Sequence, residues 1–301
     1  MTTQFETQQI NRVGQDRPAP PIAFLGTGRM GGPMAANLAR ADFDVRAWNR
    51  TPDRADALAE YGAIPAASPA HAVAGAGILI TMLADGPATE QVWRELKSVL
   101  VANPRLIWVQ MATVGLDWTQ RFAFMADEYG VSFIDAPVSG SQGPAEAGEL
   151  VILASGPSRL RETVAPVFDV LGRATKWLGP AGNGTRAKLV LNNWLADLTE
   201  TTAENLSFAR RLGLDPGALV DLLESTPLGA PYAMQKARVM LAGDFAPAFA
   251  LKHALKDVDL VAQAARESGA ELPLTEALLP RWRAAASGHA EDDVAAIYTT
   301  P

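Results

Sequence analysis

The spacing of apolar and polar positions changes along this chain. Ile22-Ala23-Phe24-Leu25 is apolar at every position, as expected of a strand covered on both faces. Further short stretches read as strands at 44–48, 78–83, 106–109 and 131–134, and helical spacing fills the segments near 53–61, 87–100 and 117–129. Two more strands are expected near 150–155 and 175–178. Strands alternating with helices predict an α/β fold with a doubly wound parallel sheet, whose ligands lie outside the carboxyl ends of the strands. Beyond Gly184 the strand signal nearly vanishes. Alanine- and leucine-rich helical patterns cover 185–211, 216–224, 233–242, 251–268 and 274–287, with breaks at Gly213, Pro227, Pro231, Gly243, Pro247, Gly269 and Pro273. The expected organisation is a flexible extension at residues 1–20, a nucleotide-type domain at 21–181 and an all-α domain at 182–301, joined by a long interdomain helix.

The joining stretch, GNGTRAKLVLNNWLADL at 182–198, holds the first candidate for chemistry. Apolar side chains fall on every face of it, which predicts a helix buried nearly all round. Lys188 sits in its second turn, and a buried ammonium is costly unless something pairs with it. Asn192 follows four residues later and projects from the same face. One reading is a lysine that snorkels to water at a helix start; the other is a lysine kept for proton transfer.

After the first strand comes Gly26-Thr27-Gly28-Arg29-Met30-Gly31, and helical spacing begins at once through Met34, Leu38 and Ala39. Strand, GxGxxG and helix in that order form the context of a Rossmann dinucleotide fingerprint. The glycines let a pyrophosphate approach the unpaired N–H groups of the helix start. An NAD-preferring site places a carboxylate about 20 residues further on, for the ribose 2′-hydroxyl. Asn49-Arg50-Thr51 stands there instead, and a guanidinium fork suits a 2′-phosphate. NADPH/NADP+ is therefore favoured over NADH.

Other strand ends supply Met82-Leu83, Thr113 and the stretch 135–144, DAPVSGSQGP, read as a kinked loop of hydroxyl and backbone donors for a carboxylate. In the helical half, FALKHALKD at 249–257 places Lys252 and Lys256 four residues apart, where like charges repel and a solvated face is the default. A stripe of Leu251, Leu255 and Val258 covers the other side.

Composition adds exclusions. Among 301 residues, 48% are apolar and 20% charged, an ordinary globular balance. The net charge of −7 points away from nucleic acid as a partner. With no cysteine, thiolate chemistry and Cys-ligated metals are excluded, and the three histidines (His71, His253, His289) are too dispersed for a zinc site. No apolar run approaches the roughly 18 residues of a membrane span, and no signal-peptide core is present, so a cytoplasmic location is expected.

With these pieces placed, residues 21–298 resemble the β-hydroxyacid dehydrogenase family. The resemblance is carried by FLGTGRMGGPMAANL, DAPVSGSQGPAEAGEL, GNGTRAKLVLNN and FALKHALKDVDL, in the family's order. Within the family, the SGS-x-x-PAE loop and the Asn-Arg-Thr after the second strand are most similar to the NADPH-dependent glyoxylate and succinic semialdehyde reductases. The resemblance implies that Lys188 is the catalytic acid–base and Asn192 its positioning partner, with Ser139 and the Gly140 backbone binding the substrate carboxylate. It implies that Thr113, Phe249 and Asp257 line the substrate pocket, and that Lys256, Met82, Leu83 and Thr113 join residues 26–31 and 49–51 at the cofactor. The expected activity is reduction of a small aldehyde or keto carboxylate, with a homodimer or homotetramer as the assembly. Three alternatives stand beside it: a 3-hydroxyisobutyrate-type dehydrogenase working oxidatively, an imine reductase, and a non-catalytic NADP-binding protein. Imine reductases usually carry another residue where Lys188 stands, which argues for carbonyl reduction. Methionine and alanine before Thr113, where the family usually has a serine just ahead of the threonine, put substrate identity in question more than chemistry.

Overall fold

The computed structural model describes residues 20–300, so the extension expected at 1–20 lies, except for Pro20, outside the described residues. The chain divides after Lys188 into two compact units.

Among the described residues, the first unit has nine strands: β1 (Ile22–Leu25), β2 (Val45–Trp48), β3 (Ile64–Pro65), β4 (Ile78–Thr81), β5 (Ile107–Gln110), β6 (Ser132–Asp135), β7 (Val138–Ser139), β8 (Leu150–Ala154) and β9 (Gly172–Trp177). Six form one sheet in the order β3-β2-β1-β4-β5-β6, and every pairing in it is parallel. The order reverses at β1, which makes the carboxyl ends of β1 and β4 a topological switch point where such sheets bind ligands. Every residue of β1 is fully buried. Ile22 and Phe24 belong to the core on one face of the sheet, and Ala23 and Leu25 to the core on the other, with Trp108 and Phe133. This two-sided burial explains the unbroken apolar runs.

The strands expected near 150–155 and 175–178 form, but they do not extend the main sheet. They pair as β8 and β9 in a separate three-stranded sheet, with β7 antiparallel at its other side. An isolated antiparallel bridge between Asp135 and Ser155 joins the end of β6 to the end of β8. The stretch read as a loop from Asp135 to Pro144 is also more ordered than expected. It contains β7 and enters a helix at Gln142–Ala147.

The second unit is all-helical apart from a short bridge: Pro216–Glu224, Pro231–Ala242, Leu251–Ser268 and Pro273–His289 pack together, followed by a 3-10 segment at Val294–Thr299 that the helical periodicity did not announce. Trp282, Leu251 and Val294 are fully buried at its centre. The long helix, Asn183–Arg211, runs across the division between the units. Contrary to the expectation of burial all round, Val190 is 70% exposed and Trp194 60% in the single chain. Phe208 extends this exposed apolar edge in a later turn, and Leu212, also exposed, follows the helix end. Apolar periodicity reports a face that avoids water, and a surface awaiting another protein satisfies it as well as a core does. No helix among the described residues is long and apolar enough to cross a membrane.

Candidate functional site

In the first unit the predicted nucleotide residues converge at the switch point. Gly26 has a φ of +102°, and a Cβ there would lie 2.4 Å from the Met82 carbonyl oxygen, so this position tolerates only glycine. The same close approach brings the Met82-Leu83 turn after β4 against the glycine turn. A Cβ on Gly31 would meet the Gly26 carbonyl at 1.9 Å, which lets the helix Gly31–Arg40 start tight against the turn. The Thr27 N–H donates to Asn49 Oδ1 at 3.2 Å, and Asn49 Nδ2 donates to the Thr51 carbonyl at 3.1 Å. Asn49 therefore docks the loop after β2 onto the fingerprint and fixes its own loop, leaving Arg50 and Thr51 exposed. Arg29 is exposed on the glycine turn. Arg54 adds a cation that was not singled out: its guanidinium comes to 4.0 Å from where a Gly28 Cβ would stand. Thr27 Oγ1 is buried at the turn with no hydrogen-bond partner. A cradle closed to any side chain, an unsatisfied buried hydroxyl and guanidinium groups at its rim fit a phosphate-bearing dinucleotide.

The next strand ends are held by a buried polar chain. Trp108 Nε1 donates to Thr81 Oγ1 at 2.8 Å, Thr81 Oγ1 donates to Gln110 Oε1 at 2.7 Å, and Gln110 Nε2 donates to the Ala112 carbonyl at 2.9 Å. These bonds set the backbone leading into half-buried Thr113. Ser139 lies on β7, and Gly140 follows at φ +135°, pressed against Leu150 and Pro144.

Lys188 is half-buried, in the second turn of the long helix. The start of that helix is anchored by Asp135, a residue the sequence reading passed over. Thr185 donates its N–H to Asp135 Oδ2 and its hydroxyl to Asp135 Oδ1, both at 2.8 Å. Ser155 Oγ lies 3.1 Å from Asp135 Oδ2 and accepts the Gly184 N–H at 2.9 Å. Burial pushes the Asp135 carboxyl above the ordinary carboxylate range, while the donors from Thr185, Ser155 and Gly182 pull it back.

In the second unit, Asn192 and Asp257 are both buried, and Asn192 Nδ2 donates to Asp257 Oδ2 at 2.9 Å. Lys256 Nζ is 2.9 Å from Asp257 Oδ1. Half-buried Lys256 thus departs from the solvated default, whereas Lys252 is exposed and paired with Glu291 at 2.6 Å. Phe249 is half-buried against the helical core, and its N–H donates to Asp293 Oδ2 at 3.1 Å.

Known proteins match both units. The model for the NAD binding domain of 6-phosphogluconate dehydrogenase matches residues 21–179, and that for the NAD-binding of NADP-dependent 3-hydroxyisobutyrate dehydrogenase matches residues 182–300. The chain belongs to the β-hydroxyacid dehydrogenase family. Members similar to it include two proteins of Arabidopsis thaliana. Glyoxylate/succinic semialdehyde reductase 2, chloroplastic, is 33% identical over 92% of this chain and 78% of its own. Glyoxylate/succinic semialdehyde reductase 1 is 34% identical over 85% of this chain and 89% of its own. The solved structure of Mycobacterium tuberculosis 3-hydroxyisobutyrate dehydrogenase with L-serine superposes with a TM-score of 0.86 at 29% identity, covering 93% of this chain and 98% of that one. As a member of this family, the protein is an NAD(P)-dependent oxidoreductase acting on CH–OH groups.

Proposed function

We propose that the protein is an NADPH-dependent reductase of small aldehyde or keto carboxylates, of the glyoxylate or succinic semialdehyde type, with Lys188 as the general acid. The observation that carries this reading is Lys188 itself, half-buried one turn beyond an anchored helix start in a chain one-third identical to two proteins of that name. Arg29, Arg50 and Arg54 around the glycine turn support NADPH over NADH, because a 2′-phosphate needs guanidinium partners where a ribose hydroxyl needs a carboxylate.

The bound cofactor supplies hydride to the carbonyl carbon. The remaining work falls to the chain. Ser139 Oγ and the Gly140 N–H hold the substrate carboxylate and so fix which carbonyl face is presented. The Lys188 ammonium hydrogen-bonds the carbonyl oxygen and gives up its proton as negative charge develops there. General acid assistance of this kind is worth about 10²–10⁴ in rate. In the second unit, Asp257 fixes the orientation of the Asn192 amide.

A second reading, oxidation of a 3-hydroxy acid, draws support from the 29%-identical 3-hydroxyisobutyrate dehydrogenase. One panel distinguishes them: NADPH oxidation with glyoxylate or succinic semialdehyde, and NADP+ reduction with 3-hydroxyisobutyrate or serine, each with wild type and Lys188→Ala. The proposal expects faster turnover of the aldehydes, and loss of about 10²-fold or more in kcat for Lys188→Ala with NADPH still bound. A variant that keeps a tenth of wild-type kcat removes Lys188 from the role of acid.

A further inference from the structure

We propose that Asp135 is a positioning residue for catalysis, a hydrogen-bond clamp that sets Lys188 and the Ser139–Gly140 segment in one frame. The inference rests on Lys188 being the proton donor. Asp135 ends β6, four residues before Ser139, and its side chain grips Thr185, three residues before Lys188. Within the first unit, then, a single carboxyl group joins the strand that leads to the proposed carboxylate site with the helix turn that leads to the proposed acid.

Three observations support the clamp independently. First, Asp135 and Thr185 are each 1% exposed and Ser155 is fully buried, so no water competes for these bonds. Second, the backbone takes part: the Asp135 carbonyl accepts the Ser155 N–H at 2.7 Å, and the Asp135 N–H donates to the Ser155 carbonyl at 3.0 Å. Third, the helix start is seated by contact as well as by hydrogen bonds. A Cβ on Gly184 would lie 2.2 Å from the Leu153 carbonyl oxygen and 2.9 Å from that of Asp135, so only glycine lets the helix reach the strands.

The hydroxyls give the clamp a definite proton order. Thr119 Oγ1 donates to the Gly115 carbonyl at 2.8 Å and lies 3.0 Å from Thr185 Oγ1, which in turn lies 2.8 Å from Asp135 Oδ1. Two hydroxyl protons serve three contacts: Thr185 gives its proton to Asp135 Oδ1, and in Asp135→Asn the side-chain amide would instead donate to Thr185 Oγ1 and free that proton for Thr119 Oγ1. A neutral donor-and-acceptor side chain therefore satisfies the whole chain, and asparagine has that pattern. What the clamp requires is hydrogen-bond geometry, and a negative charge at position 135 is dispensable.

The test compares Asp135→Ala, Asp135→Asn, Thr185→Val and Gly184→Ala in the full-length protein. Readouts are kcat and KM for glyoxylate, the NADPH dissociation constant by fluorescence, the melting temperature, and the primary isotope effect with NADPH deuterated at the transferred position. A displacement of about 1 Å at a reacting group costs about 10²-fold in rate. Asp135→Ala and Gly184→Ala should lower kcat by about 10- to 100-fold and raise the isotope effect, with NADPH affinity within about threefold of wild type. Asp135→Asn should recover kcat to within about threefold, and Thr185→Val, which keeps the N–H bond, should fall between. A purely structural clamp would lower the melting temperature of Asp135→Ala while kcat per folded molecule stayed near wild type, and that result overturns the proposal. So does an Asp135→Asn variant as impaired as Asp135→Ala. If Asp135→Ala does not fold, Thr185→Val and Gly184→Ala decide by the same kinetic criteria. The two readings fail separately: an active Lys188→Ala defeats the identity of the acid, whereas an inactive Lys188→Ala beside a fully active Asp135→Ala defeats only the clamp.

Discussion

Removing the Lys236 ammonium should expose how the helical unit holds Phe249. Lys236 Nζ lies 2.6 Å from Asp293 Oδ1, and the two side chains are only 7% and 1% exposed. Asp293 also accepts the N–H groups of Ala248 and Phe249 at 3.1 Å each and of Ala295 at 3.0 Å. Breaking a buried pair by deleting one partner costs about 3–5 kcal/mol, because the other charge stays buried. In Lys236→Met the three N–H donors still solvate the carboxylate, so the lower end, about 3 kcal/mol, is expected. At roughly 4 °C per kcal/mol for a unit of this size, this lowers the helical unit's melting transition by about 12 °C in calorimetry. Replacing both charges, as Lys236→Met with Asp293→Asn, should recover at least about 1 kcal/mol relative to the sum of the single changes, since the residues touch and do not act additively. Because Asp293 holds the Phe249 backbone, the pocket role that the family resemblance implies for Phe249 predicts a rise in KM for the carboxylate with NADPH affinity unchanged. A melting shift under about 3 °C for Lys236→Met would mean that the pair contributes little net stability and that Asp293 is held by its N–H donors alone.

Cofactor choice is testable at Arg50. Arg50→Asp should weaken NADPH by about 1.5–3 kcal/mol, the worth of a hydrogen bond to a charged group, while NADH changes little; equal losses for both cofactors would remove the 2′-phosphate argument. The exposed apolar edge of the long helix is expected to be covered by a second copy of the chain. Trp194→Glu, placed on a residue 60% exposed in the single chain, should shift the species seen in size-exclusion chromatography with light scattering toward monomer, and an unchanged mass would sink that assignment.

The main sheet was legible because burial on both faces writes itself into each strand locally, as in Ile22–Leu25. Sheet membership was not. Leu150–Ala154 is as apolar as β1, yet its partner Gly172–Trp177 reads Gly-Arg-Ala-Thr-Lys-Trp, and β7 has only two residues. Nothing within these runs says that they pair with each other and leave β6 as the edge of the main sheet. The long helix failed in the opposite direction. Its apolar count was correct, but periodicity cannot separate a face against a core from a face such as Val190 and Trp194 that is bare in one chain. Asp135 left no local trace either. It is one polar residue at the end of Ser-Phe-Ile-Asp, and its role depends on a hydrogen bond to Thr185, 50 positions away.

Asp257 was expected beside a substrate that is itself a carboxylate, and two bare carboxylates at close range disfavour each other's ionised forms. In the structure one Asp257 oxygen accepts the Asn192 amide, while the other lies 2.9 Å from Lys256 Nζ as an ion pair without hydrogen-bond geometry. Lys256 then has two claims on it, the Asp257 carboxylate and the cofactor contact that the family resemblance implies. The Asn192 amide, with its N–H given to Asp257, keeps its carbonyl oxygen as the remaining acceptor. An acceptor one helical turn from Lys188 suits an ammonium better than it suits a substrate oxygen. Asp257 is therefore the partner that fixes the Asn192 amide, taking its N–H and leaving its oxygen as the group still able to accept.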